Sequence, residues 1–253
     1  MRYRIPKTHL PSVRILLLAT LISVLLWFIP FAGYLVFPFR IFVTFIHEGS
    51  HALAALMTGN HVLSLSVAID GSGLTQTTQS GLFSDVLVSS AGYLGSTLFG
   101  ALLLLLIRIR VPVRLILLSS GLMIGGLTFL FGLTSSFTLV SGIAITIALF
   151  FAARLTTVRM ATFLASFLAV QCVLNAILDL KTVLYNSTPF GYGVQTDAAN
   201  LAYVTGIPSL VWVVVWIGIS LALLAVTLRA YAVYSFKPRS SPLSFEDHDS
   251  MPV

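Results

Sequence analysis

Apolar residues in this chain gather in long blocks rather than at amphipathic spacing, and that feature removes most soluble folds from consideration. Crossing roughly 30 Å of hydrocarbon takes about 20 apolar residues in a helix. The blocks have that length: 15–37, 39–58, 82–107, 113–131, 137–153, 160–184 and 207–234. Only 9% of residues are charged and 57% are hydrophobic, whereas a soluble domain carries about 25% charged residues. The expected fold is therefore all-α and polytopic, with about seven transmembrane helices. The first block is too long for the apolar core of a signal peptide and has no obvious small-residue cleavage site, so it reads as a retained helix.

The net charge of +6 does not point to nucleic acid, because the basic residues sit at block ends where they meet lipid headgroups. Residues 1–14, with Arg2, Arg4, Lys7 and Arg14, read as a basic interfacial arm. Residues 15–235 form one transmembrane domain, and 236–253 have the composition of a disordered tail. One segment, 60–82, differs in kind: it alternates apolar and polar residues around Asp70-Gly71, the signature of a β-hairpin at the membrane edge. Gly92, Gly95, Ser96 and Gly100 open the next block with the small side chains that let transmembrane helices approach closely. The single cysteine, Cys172, excludes a disulfide framework and a cysteine-type zinc site.

The second block holds His47-Glu48-Gly49-Ser50-His51. On a helix the two histidines project from one face, so both imidazoles reach one metal ion. Neutral imidazole suits Zn2+, and a catalytic zinc keeps one position open for water. Glu48, one residue on, is placed to take a proton from that water and return it to a leaving amine. Ionisable groups at this depth cost a few kcal/mol each, so a His-Glu-x-x-His cluster in a spanning helix marks function rather than packing.

A third ligand is needed, and two carboxylates compete for it. Asp179 is the acid well inside a distant apolar helix, and it and His51 lie at similar distances from their helix ends, which at 1.5 Å per residue gives matching depths. Asp197 is the alternative; it opens the segment TDAANLAYVTGIP, where Thr196 or Asp197 is placed to cap a helix. Asn175, one turn before Asp179, is placed either to bind a substrate carbonyl or to join helices.

At these residues the chain resembles the site-2 protease family of intramembrane zinc metallopeptidases, and more closely its compact bacterial and plant-type members. FIHEGSHALAALMTG, the hairpin after it, SSAGYLGS and NAILDL carry the likeness, and TDAANLAYVTGIPSLVW also looks like the compact relatives. The resemblance implies that His47, His51 and Asp179 bind one Zn2+ and that Glu48 is the catalytic base. It also implies that the hairpin presents an unwound substrate helix by strand addition. The expected function is regulated intramembrane proteolysis: zinc-dependent endopeptidase cleavage of a transmembrane protein substrate within the lipid bilayer. The alternative is a non-proteolytic pseudoprotease or helix-binding scaffold with the same fold.

Overall fold

The computed structural model describes residues 12–26, 28–29, 31–78, 80–187 and 196–233. The interfacial arm up to residue 11 and the tail from residue 234 lie outside them. Among the described residues there are eight helices and one two-stranded sheet. They follow in the order α1 (Ser12–Leu25), α2 (Ala32–Met57), β1 (Val62–Val67), β2 (Gly73–Thr77), α3 (Leu82–Arg108), α4 (Val113–Phe131), α5 (Ser136–Leu155), α6 (Val158–Asn186), α7 (Asp197–Thr205) and α8 (Ser209–Val233).

Five helices, α3, α4, α5, α6 and α8, are long and apolar enough to cross a membrane, which makes this a multi-pass membrane protein. The expected count was about seven. The difference lies in the first two blocks, which the chain divides elsewhere than at Pro38. Helix α1 stops at Leu25 after 14 residues, short of a full span. The backbone turns at Phe31, which has φ +65, and α2 then runs through Pro38 for 26 residues. Proline removes one helical hydrogen bond but does not stop a helix whose other bonds and neighbours are in place. Helix α2 is long enough to span, yet it carries Arg40, Glu48 and two histidines and is the least ordinary helix of the bundle.

The core is centred on α2. Ile41, Phe42, Val43, Phe45 and Ile46 are buried with Leu103, Leu104, Leu117, Ile124, Leu168 and Cys172 from the surrounding helices. Helix α2 packs on α3, α3 packs on α6 and α8, α4 pairs with α5, and α1 lies against α6. The small residues of α3 make its contacts with α2 and α6 possible. A Cβ at Gly95 would fall on the Ser50 side chain, and one at Gly100 would meet the Ala169 carbonyl at 2.8 Å. Dispersion between close backbones is what holds helices together where lipid removes the hydrophobic drive.

The hairpin forms where alternation predicts it, with Val67 opposite Gly73 and Leu65 opposite Thr75. Its loop has three residues rather than two. The Gly71 amide donates to the Ala68 carbonyl (3.0 Å) and the Ala68 amide to the Ser72 carbonyl (2.8 Å). Gly71, at φ +84, takes the left-handed position that closes such a loop. Asp70 Oδ1 accepts from the Ser72 amide and hydroxyl, and these bonds hold its carboxyl below the usual carboxylate range. The outer edge of β1 is tied to the bundle: the Val67 amide donates to Thr138 Oγ1 (2.8 Å) and that hydroxyl lies 3.2 Å from the Val67 carbonyl. The outer edge of β2 has no partner strand among the described residues.

Candidate active site

His47 and His51 leave α2 on one face, with ring centroids 4.9 Å apart. His51 is buried, and its Nδ1 lies 2.6 Å from the Val88 carbonyl of α3. A carbonyl only accepts, so Nδ1 carries the proton and Nε2 of the neutral ring is left with its lone pair for a metal. His47 is set by Tyr93, whose ring meets it edge-on at 4.7 Å and in turn stacks on Trp216 at 5.4 Å. The Trp216 indole donates to Ser90 Oγ (3.0 Å), which anchors the stack across α3 and α8.

The carboxylate that meets the two imidazoles is Asp197. Its Oδ2 lies 3.5 Å from His47 Nε2 and 3.4 Å from His51 Nε2. Asp197 is the first residue of α7, and Thr196 caps that helix by accepting from the Ala199 amide (3.2 Å). The cap expected from the sequence is therefore real, and it aims the Asp197 side chain at the site. Burial by itself would raise the Asp197 carboxyl; the adjacent imidazoles outweigh it and hold the group well below the ordinary range.

Among the described residues, His47, His51 and Asp197 offer three ligand atoms within 4.8 Å of one another. Asp179 is not a member of that cluster. It lines the same cavity from α6, as does Asn175. Among the described residues the carboxylate oxygen grouped with the histidine pair is thus that of Asp197; matching depth along two helices does not set the lateral distance between them. Asn175 uses its amide on its own helix, donating to the Gln171 carbonyl (2.9 Å) and Gln171 Oε1 (3.2 Å). Gln171 in turn donates to Ser23 of α1 (3.3 Å), so the bond between helices is made by Gln171, while the bonds of Asn175 stay within α6.

Two observations bear on whether this cluster suits a metal. Two imidazole nitrogens and one carboxylate oxygen form a zinc donor set with a position to spare. The space is also kept clear: a Cβ at Gly92 of α3 would fall on His47 Nε2 and His51 Nε2 together. Gly92→Ala is accordingly expected to displace both rings and to abolish zinc retention, measured as metal content of the purified variant, while leaving the bundle folded.

Glu48 is buried at 4% exposure and stays out of the ligand cluster. The hairpin covers it. Thr75 Oγ1 lies 2.7 Å from Glu48 Oε2, and a Cβ at Gly73 would collide with the Glu48 carboxylate. The residues around this site frame a cavity of about 1030 Å³, walled by α2, β2, α3, α6 and α7. That is at the upper end of ordinary ligand sites, far more than one ion and its water need.

Thr75, Gly73, Val88 and Tyr93 are site residues that the sequence reading did not single out. Gly73 and Thr75 alternate in β2 on the face toward α2, a period-two signal available once the helix is known to lie beneath the strand.

No match was found among curated proteins or among solved structures. The profile of the Peptidase M50B-like family matches residues 15–227. A match over most of the chain, which takes in α2 with its two histidines and glutamate and α7 with the carboxylate that meets the histidines, places this protein in the Peptidase M50B-like family.

Proposed function

We propose that the protein is a zinc-dependent intramembrane endopeptidase that hydrolyses peptide bonds of other membrane-spanning proteins, with His47, His51 and Asp197 as the metal ligands. The observation that carries this reading is the convergence in one cavity of a His-His-Asp donor set and a separate glutamate. Bound there, zinc supplies a Lewis acid and brings water to a pKa of about 7.

The chain's own residues do the rest. Val88 and Tyr93 hold the imidazoles in place, so little reorganisation is needed when a ligand arrives. Glu48, free of the ligand set, accepts the proton of the attacking water and delivers it to the nitrogen of the departing amine. The polar wall formed by Thr44, Thr75, Thr182, Asn186 and Asn200 gives water a route to this depth.

Substrate recognition follows from the hairpin. The Ala68–Ser72 bond sets the ladder's alternation, which turns the main-chain groups of Gly73 and Thr75 to the outer edge. An extended peptide pairing there satisfies both edges in surroundings where unpaired amides are costly, and it runs along the cavity that holds the metal ligands.

The test uses the purified protein in lipid vesicles with an internally quenched transmembrane peptide. Cleavage is expected with zinc, lost on chelation and restored by added zinc. Protein that purifies without zinc and takes up none would sink the reading.

A further inference from the structure

The strand edge and the base are parts of one device. Thr75 lies in β2, and its hydroxyl reaches Glu48 Oε2 (2.7 Å) and the Glu48 carbonyl (3.0 Å). A hydroxyl has one proton to donate, and the shorter contact is to the carboxylate. The distance is that of a well-formed O–H···O hydrogen bond. Gly73, two residues earlier, leaves room for the glutamate side chain beneath the strand, because a Cβ at that position would occupy its place. Glu48 is thus clasped between its own helix and the hairpin, with one carboxylate oxygen engaged by Thr75 and the other beneath Gly73.

We infer that Thr75 is the positioning residue for Glu48, fixing the carboxylate so that it faces the cavity in one orientation. The inference rests on Glu48 being the catalytic base, as set out above. The physical reason is rotamer freedom. An unrestrained glutamate side chain samples several staggered conformers, and a base held within hydrogen-bond reach of its proton must be kept in one of them. Nothing else bonds the Glu48 side chain among the hydrogen bonds of the described residues, which leaves the clasp to Thr75. The device also links the two halves of the site: the strand that would receive substrate through its main chain orients the base through a side chain.

Two substitutions separate positioning from packing. Thr75→Val keeps the shape and removes the hydroxyl; Thr75→Ser keeps the hydroxyl and removes a methyl group. Thr75→Val is expected to bind zinc as the wild type does and to lower kcat about 10- to 100-fold, the effect of losing one hydrogen bond to a charged group. KM for the quenched transmembrane peptide should be unchanged, since the outer main-chain edge of β2 is intact. Thr75→Ser should restore kcat. A readout free of turnover is the infrared carboxylate band of Glu48 in metal-free protein, isolated as the difference between wild type and Glu48→Gln. That band should shift in Thr75→Val and stay in place in Thr75→Ser. Unchanged kcat and an unshifted band in Thr75→Val would overturn the inference, as would a Thr75→Ser variant as impaired as Thr75→Val. If the wild type cleaves no peptide, the protease reading fails by itself and the infrared band alone decides the clasp.

Discussion

Glu48→Gln is expected to leave one zinc ion per chain in place and to lower cleavage of a transmembrane peptide by about 10²- to 10⁴-fold, the range for loss of a general base. The argument combines charge and position. The amide has the size and much of the hydrogen-bonding capacity of the carboxylate, and Thr75 still has an acceptor within reach, so the hairpin keeps its seat on α2. What disappears is the ability to take a proton. Because Glu48 is outside the three-residue ligand cluster, the metal loses none of its donors. Zinc content by mass spectrometry and cleavage by fluorescence report the two properties separately. A variant that loses zinc along with activity would place Glu48 among the ligands.

The second large effect concerns the two competing aspartates. Asp197→Ala is expected to empty the site, at a cost in affinity greater than the roughly 10- to 100-fold typical of losing a group that merely supports a ligand. Asp179→Ala is expected to keep its zinc. The geometry motivates the contrast: Asp197 Oδ2 lies within 3.5 Å of both imidazole nitrogens, whereas Asp179 lines the cavity without belonging to that cluster. Metal analysis of the two purified variants, with Asp→Asn versions to preserve shape, distinguishes them. Zinc retained in Asp197→Ala and lost in Asp179→Ala would reverse the assignment.

The region around α7 shows how far local signals reach. Thr196 is one of two cap candidates in the sequence and the cap in the structure, because capping depends on a hydroxyl and an amide three residues away. Where that cap delivers Asp197 is another matter, since residues 188–195 before it lie outside those described and α7 is placed by its packing on α3 and α8. The division of the first 57 residues failed for a related reason. Pro38 is the obvious local breaker, yet α2 passes through it and the chain turns at Phe31 instead. The cost of one missing hydrogen bond is set against the burial of residues within 41–55, which follow Pro38 in the same helix.

By itself the sequence determined what depends on spacing along the chain: apolar blocks that fill a bilayer, alternation that makes a hairpin, and two histidines one helical turn apart with a glutamate between them. Such properties follow from the rise and period of a single element. Only the tertiary structure decided which carboxylate meets the histidines, and that β2 lies across Glu48 with Thr75 at its oxygen. Both are lateral relations between elements far apart in the chain. Depth along a helix is one coordinate, and the rotation and packing of helices against one another supply the other two.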